Sequence, residues 1–274
     1  MGVFDAMRDL CELIVEKIEN IKASNLFIEG LKLFVRWLMR RKFVQIFGSD
    51  CFLPGAFHFA FGELRLLTVY NQKGEIIHFP YYKPGEGSTG VKISVQVPIS
   101  SCEIRAVKYL TEAFAKQAGA SGTISSDVEI KDKLDVSFVA IGGPASNFKA
   151  RDVMTYGEND LISFDNSFFF AAKSKRPVFQ PEPGFDYGII LKLHPLQFPE
   201  KTWIVCAGIG EWGSSGAAWY LANKWRKIAS FAGNKPFAII VRVEPHKDES
   251  AWPVIKEKSE PQKNVEERAS KLGG

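Results

Sequence analysis

The sequence predicts an α/β fold with a mixed, mostly parallel sheet, preceded by an N-terminal helical arm. Twice, an apolar strand-like run leads through a Gly-rich loop into a helical pattern, at 136–154 and again at 202–229. Strands that alternate with helices in this way indicate βαβ units and a parallel sheet. The chain has 274 residues, of which 46% are hydrophobic and 24% charged, so it can bury a substantial core.

The N-terminal arm, residues 1–50, is predicted to contain two helices. Apolar residues recur at helical spacing over 3–22, and a second helix is expected from Leu26 to Phe47 with Asn25 as its cap. The second helix carries a run of basic residues: Lys32, Arg36, Arg40, Arg41 and Lys42. Each charge at bilayer depth costs about 2.5–3.5 kcal/mol, which argues against a simple transmembrane span. Three roles remain open for this helix: contact with an anionic membrane surface, packing on the core, or contact with a partner.

The main domain is predicted to span residues 51–246. Its first half is expected to begin with a strand-rich stretch at 57–70 and a short strand at 75–82, followed by a flexible loop at 83–90 that is a candidate lid. A strand at 91–98 and a helix at 103–119 are expected after this loop. Its second half is expected to hold strands at 136–141, 168–170, 186–193, 202–209 and 237–244, and helices ending near 154 and 229. The link between the strands at 186–193 and 202–209 is too short for a parallel crossover, so these strands are expected to pair antiparallel. Residues 247–274 read as a charged, disordered tail.

The first Gly-rich corner follows the strand at 136–141. Its candidate ligand-binding residues are Gly142, Gly143, Ser146 and Asn147. Glycine lets a backbone approach a phosphate, and the N-terminus of a helix offers free N–H groups. The alternative, compatible with ligand binding, is that Ser146 or Asn147 caps the helix while the glycines form the turn.

The second corner contains a literal G-x-G-x-x-G. Its candidate ligand-binding residues are Gly208, Gly210, Gly213, Ser214 and Ser215. Three features depart from the dinucleotide fingerprint. A carboxylate lies inside the loop, and the acid at the ribose-binding position is farther from the glycines than the fingerprint requires. The sequence after the motif is also too short for a complete doubly-wound domain. A complete NAD-dehydrogenase fold is therefore not expected.

Two glutamates are candidate catalytic residues. Glu211 lies inside the second corner, where it would accept hydrogen bonds from sugar hydroxyls, act as an acid or base, or simply be exposed. Glu63 follows Gly62 in the first strand-rich stretch, and its alternative is a solvated strand residue.

Several site classes find no support in the sequence. There is no Walker loop, no G-x-S-x-G, and neither the histidines nor the cysteines show metal-ligand spacing, so no metal is predicted. The net charge of +4 is concentrated in the arm, so nucleic-acid binding is not expected. Acidic residues stand where a signal peptide has bases, which favours a cytoplasmic protein with membrane association through the N-terminal helices as an option. The cofactor and the oligomeric state stay open.

The corner sequences IGGPASN and CAGIGEWGSSGAA together resemble those of Rossmann-like nucleotide-recognising domains. These include SLOG-type sensors, nucleoside deoxyribosyltransferases and TIR-like domains, and the resemblance extends as a pattern over about residues 56–245. It implies a three-layer Rossmann-like domain that binds a nucleotide or NAD-derived molecule. In some of these families a Glu cleaves an N-glycosidic bond.

Three functions follow as hypotheses. The first is binding or sensing of a nucleotide-like molecule at the two corners, coupled to the N-terminal helices. The second is hydrolysis of an N-glycosidic bond by Glu211 or Glu63. The third is an interaction module without a small ligand, which contacts a membrane or partner through the basic helix.

Overall fold

A computed structural model describes residues 25–63, 69–70, 76–77, 99–117, 119–157, 159–165, 168–170 and 181–259. The predicted helix at 3–22, lid at 83–90 and strand at 91–98 lie outside these residues. The helices are α1 (Asn25–Phe47), α2 (Ser101–Ala115), α3 (Phe148–Met154) and α4 (Glu211–Ala232), with a 3-10 turn at Ser49–Phe52. The strands are β1 (Phe57–Phe61), β2 (Val69–Tyr70), β3 (Ile76–Ile77), β4 (Thr123–Ser126), β5 (Ser137–Ile141), β6 (Ser163–Asp165), β7 (Phe168–Phe170), β8 (Asp186–Leu193), β9 (Trp203–Gly208), β10 (Phe237–Glu244) and β11 (Lys247–Lys258).

The main sheet has seven strands in the order β11-β10-β8-β9-β5-β1-β4. Strands β4, β1, β5 and β9 are parallel, whereas β8, β10 and β11 pair antiparallel with their neighbours. The predicted antiparallel pairing of β8 and β9 is confirmed, with Ile190 opposite Cys206. The fold is α/β, with a mixed sheet whose core is mostly parallel, with helices around it and with an N-terminal helix.

An aromatic core covers one face of the sheet beneath α1, α2 and α4. Phe43 and Phe47 of α1 are one helical turn apart, and both are fully buried. The Phe43 ring lies 5.2 Å from the Trp225 ring, and the Phe47 ring lies 4.9 Å from the Phe114 ring. Burial of each such side chain stabilises the fold by about 1.5–3 kcal/mol. The last turns of α1 therefore pack onto the main domain.

The opposite face of the sheet is covered by α3 and its neighbouring segments. Ala150 and Val153 of α3 are fully buried with Phe138, Leu191 and Val205 of the strands. After β1 the chain crosses one face of the sheet through α2, and after β5 it crosses the opposite face through α3. The direction in which strands are added to the sheet therefore changes between β1 and β5.

Two strands of the sheet were not expected from the sequence. Residues 247–258, assigned above to a disordered tail, form the edge strand β11. Successive residues of β11 alternate between the protein and solvent, so Ala251 is buried while its neighbour Trp252 is 65% exposed. The charged residues elsewhere in the strand hide this alternation in the sequence. Strand β4 is short and polar, and it is held by parallel pairing with β1.

Candidate functional site

The carboxyl ends of β1, β4 and β5 enclose a cleft of about 230 Å³. The cleft lies where the chain direction changes between β1 and β5, which is the usual ligand position in open α/β sheets. Its lining consists of Glu63, Asp127, Ala145, Ser146, Asn147, Phe148 and Arg151. Three residues of the sequence-based prediction, Glu63, Ser146 and Asn147, are therefore brought together here.

Asp127 ties together the loops around the cleft. It follows β4 and is buried, and its carboxylate accepts hydrogen bonds from the Glu63 amide at 3.1 Å and the Phe148 amide at 2.7 Å. The first amide of α3 is thus satisfied by the protein itself. Sequence reasoning missed Asp127 because the short strand before it was not recognised. The run Ser-Ser-Asp at 125–127 was the available signal.

Asn147 holds the strand ends in place. Its side chain is fully buried, and its Nδ2 donates to the carbonyl oxygens of Ala60 at 3.0 Å and Ile141 at 2.9 Å. Its Oδ1 accepts from the Ala150 amide at 3.0 Å, which caps α3. All these contacts of Asn147 are structural. Ser146, by contrast, is exposed on the cleft, and its hydroxyl donates to the Gly143 carbonyl at 3.3 Å.

Glu103 lies buried behind the two loops that follow β1 and β5. A Cβ built on Gly142 would stand 2.8 Å from Glu103 Oε1, and one on Gly62 would stand 3.3 Å from it. Gly142 also has a φ of +99°, so a larger residue would be strained as well as crowded. The two glycines therefore make room for this carboxyl group.

The environment of Glu103 disfavours its ionised form. Burial raises the pKa of Glu103 to about 7, the Gly62 amide opposes this by hydrogen bonding, and the charge of Asp127 adds to the rise. Its Oε2 is buried and has no hydrogen-bond partner among the described residues. Glu103 therefore exchanges a proton near neutral pH, next to the cleft. The sequence showed this residue only as a carboxylate in the first turn of a helix.

The second corner is closed by Asp186. This residue begins β8, and its carboxylate accepts hydrogen bonds from the Gly210 amide at 3.0 Å and the Gly213 amide at 2.7 Å. These are amides at the start of α4, where a phosphate group would be expected to bind. Because β8 runs antiparallel to β9 with Gly188 opposite Gly208, Asp186 lies two residues beyond this pair, next to the loop that leads into α4. The protein's own carboxylate thus occupies the anion position of the motif.

The glycines of the second corner allow close packing of α4 on the sheet. A Cβ on Gly213 would stand 2.1 Å from the Tyr187 carbonyl oxygen, and one on Gly208 would stand 2.3 Å from the Ser214 amide nitrogen. The G-x-G-x-x-G pattern therefore meets a packing need in this protein.

The remaining residues of the second corner lie outside the cleft lining. Ser215 is buried and donates to Asp248 at 2.5 Å, while Arg105 donates to Asp248 at 2.9 Å and to Ser215 at 3.1 Å. Ser214 is buried and points back to its own helix, with 3.5 Å between its hydroxyl and the Gly210 carbonyl. Glu211 is exposed in the first turn of α4. The Arg105–Asp248–Ser215 network joins α2, α4 and β11.

No group of three or more His, Cys, Asp or Glu side chains that could hold a metal ion occurs in the described part of the chain. Comparison of the chain with protein-family models, with curated proteins and with solved structures gives no match.

Proposed function

We propose that the protein binds a nucleotide or NAD-derived small molecule in the cleft between β1 and β5. The observation that carries this proposal is the coincidence of the cleft with the change of chain direction in the sheet, at a point lined by both acidic and basic groups.

The polar groups of the cleft match the two ends of such a ligand. Half-buried Glu63 has no side-chain hydrogen-bond partner among the described residues, and its carboxylate suits the hydroxyls of a ribose. Exposed Arg151 uses its Nε on the Pro144 carbonyl at 3.1 Å, which leaves its terminal nitrogens for a phosphate. Because Glu63 and Arg151 line the same cleft, one ligand can contact both side chains.

The second corner does not add a phosphate site to this proposal. Its amides bind Asp186, so the ligand we expect is one whose phosphate is held by Arg151. Nucleoside monophosphates and ADP-ribose are therefore better first probes than molecules that need a full dinucleotide loop.

Calorimetric titration with AMP, ADP-ribose, NAD and cyclic dinucleotides tests the proposal. At least one of them is expected to bind, and Arg151→Gln and Glu63→Gln are each expected to weaken binding by about tenfold or more. Arg226→Gln, an exposed arginine of α4, serves as the matched control and is expected to bind normally. If none of these molecules binds, or if all three variants bind equally well, the proposal is wrong.

The second candidate function is hydrolysis of an N-glycosidic bond in a nucleoside or in NAD. It is favoured by the placement of Glu63 in the cleft and of Glu103, with its pKa raised to about 7, behind it. Glu63 would stabilise the positive charge that develops on the sugar as the bond to the base breaks and water adds. Chromatography of incubations with NAD and nucleosides is expected to show free base, and Glu63→Gln to abolish it. Full turnover by Glu63→Gln would exclude this role.

A further inference from the structure

A second concave surface lies at the C-terminal end of α2, whereas Glu103, behind the loops of the cleft, lies in the first turn of the same helix. It is a groove of about 360 Å³ between α1, the end of α2 and α4. Its walls combine apolar Val35, Trp37 and Met39 with the cations Arg40, Lys116 and Arg226. We call this surface the basic groove.

Large aromatic side chains stand exposed along the edge of the basic groove. Phe34 is 47% exposed and Trp37 is 54% exposed, and their rings stack with centroids 6.0 Å apart. The guanidinium of Arg41 lies 5.8 Å from the centre of the Trp37 ring. Tryptophan and phenylalanine beside arginine on one exposed helix face are typical of helices that lie in the plane of a membrane interface.

The charge of the basic groove restricts what can cover it. All three cations of its lining are exposed, and none of the described residues that line it is Asp or Glu. A second copy of the chain would place cations against cations, so self-association through this face is disfavoured. The complementary partner is a surface that is anionic and apolar together.

Not all of the basic residues of α1 contribute to the basic groove. Lys42 turns toward α4, where its Nζ donates to Ser230 Oγ at 3.4 Å. The side chains of Lys32 and Arg36 lie outside what the structure describes. The helices α2 and α4 supply Lys116 and Arg226 instead, so the basic face is a product of the fold as well as of one sequence run.

We propose that the basic groove docks the protein on the surface of an anionic phospholipid bilayer. A headgroup phosphate lies among Arg40, Lys116 and Arg226, and Trp37 and Phe34 enter the boundary between headgroups and acyl chains. None of the described helices is long and apolar enough to cross a membrane. The contact is therefore with the bilayer surface, and it leaves the cleft at the carboxyl edge of the sheet unused.

Co-sedimentation of the full chain with phosphatidylcholine vesicles, with and without phosphatidylserine, tests this docking. Binding is expected only with phosphatidylserine and is expected to weaken as salt is added. The double variant Arg40→Gln/Arg226→Gln is expected to lower vesicle affinity by about tenfold or more. Phe34→Ser/Trp37→Ser is expected to do the same while leaving the circular dichroism spectrum unchanged, because both rings are exposed.

Two controls match these variants. Trp252→Ser removes a tryptophan from β11 that is more exposed than Trp37, and Lys131→Gln/Lys133→Gln removes two exposed cations from the segment between β4 and β5. Both are expected to bind vesicles normally. Quenching of tryptophan emission by brominated phosphatidylcholine in mixed vesicles is expected to fall with Trp37→Phe and to persist with Trp252→Phe.

Several outcomes would overturn the docking proposal. These are equal binding to neutral and anionic vesicles, equal losses in the controls, or binding to heparin and oligonucleotides without binding to vesicles. The variants of the cleft, Glu63→Gln and Arg151→Gln, are expected to keep full vesicle binding, so failure of the nucleotide proposal and failure of this one are separately visible.

Discussion

The two Gly-rich corners of this protein both link a strand to a helix, but only the first leaves a cleft open in the described part of the chain. At the first corner the neighbouring strands β1, β4 and β5 are all parallel, so three loops meet at one edge and leave a cleft among them. At the second corner the neighbour β8 is antiparallel, and it delivers Asp186 onto the amides of α4. In this protein the direction of the adjacent strand, more than the glycine spacing, decides whether a cleft stays open at a strand–helix corner.

The sharpest test of this comparison is an alanine at each corner. In Gly213→Ala the new Cβ would stand 2.1 Å from the Tyr187 carbonyl, which is backbone and cannot move aside. We expect the free energy of unfolding to fall by at least about 3 kcal/mol, measured by urea denaturation. In Gly143→Ala no atom lies within 4 Å of the new Cβ, and a change below about 0.5 kcal/mol is expected. Equal effects at both positions would contradict the contrast between Gly213, which close packing requires, and Gly143, which has open space around it.

Glu103 gives the next largest effect, with a sign that depends on pH. Its pKa is raised from 4.5 to about 7 by burial, so the native state holds a proton that the unfolded chain releases between these values. The free energy of unfolding therefore falls as the pH rises through this window. Glu103→Gln is expected to remove this fall and to be more stable than the wild type by about 3 kcal/mol at about pH 8.

Thermal denaturation at a series of pH values measures this difference. At about pH 4 the Glu103 side chain of the wild type is as neutral as the glutamine of the variant. The free energies of unfolding of the two proteins are therefore expected to converge at this pH. A Glu103→Gln protein that differs from the wild type by the same free energy of unfolding at every pH would show that the pKa of Glu103 is not raised in the native state.

Removal of the Asp186 carboxylate is expected to have a smaller effect. Asp186→Ala leaves two amides at the start of α4 without their acceptor, at a loss of about 1–2 kcal/mol. The vacated helix N-terminus then becomes an anion site, so sulfate is expected to raise the Tm of Asp186→Ala more than that of the wild type. An identical response of the two proteins to sulfate would mean that Asp186 is not what keeps anions out of this corner.

The smallest effect is expected at Glu211. Loss of its charge from the first turn of α4 is expected to cost about 0.3–1 kcal/mol, with no change in nucleotide binding. Glu63→Gln provides the contrast, since it is expected to keep its stability and lose ligand affinity. Titration of both variants with the same nucleotide decides between the corners, and a loss confined to Glu211→Gln would return the ligand to the second corner.

Much of the architecture could be predicted from local patterns. The apolar run at 202–209, its glycines and the helical spacing after them specify β9 and α4 without long-range information. The short link between β8 and β9 was enough to give their antiparallel pairing. That pairing also carried an unused signal, because it places the first residue of β8, Asp186, beside the glycine motif.

The parts that could not be predicted depend on contacts across the sheet. Burial of Glu103 is invisible in a helix that reads as amphipathic, because carboxylates are seldom buried. Asp127 becomes a site residue only because β4 pairs with β1, and the sequence of β4 is polar. The basic groove includes Lys116 from the end of α2 and Arg226 from α4, so the basic run on α1 showed only part of it.

The unpredicted strand β11 also determines how the sheet meets its surroundings. Its twelve residues include Pro253, which has no N–H to donate, and they end in the charged run Lys256-Glu257-Lys258. Proline and charges on an edge strand prevent a further strand from adding to the ladder. At the other edge, β4 has only four residues and offers little to extend. Within the described part of the chain, both edge strands of the sheet therefore have features that disfavour edge-to-edge pairing with other copies.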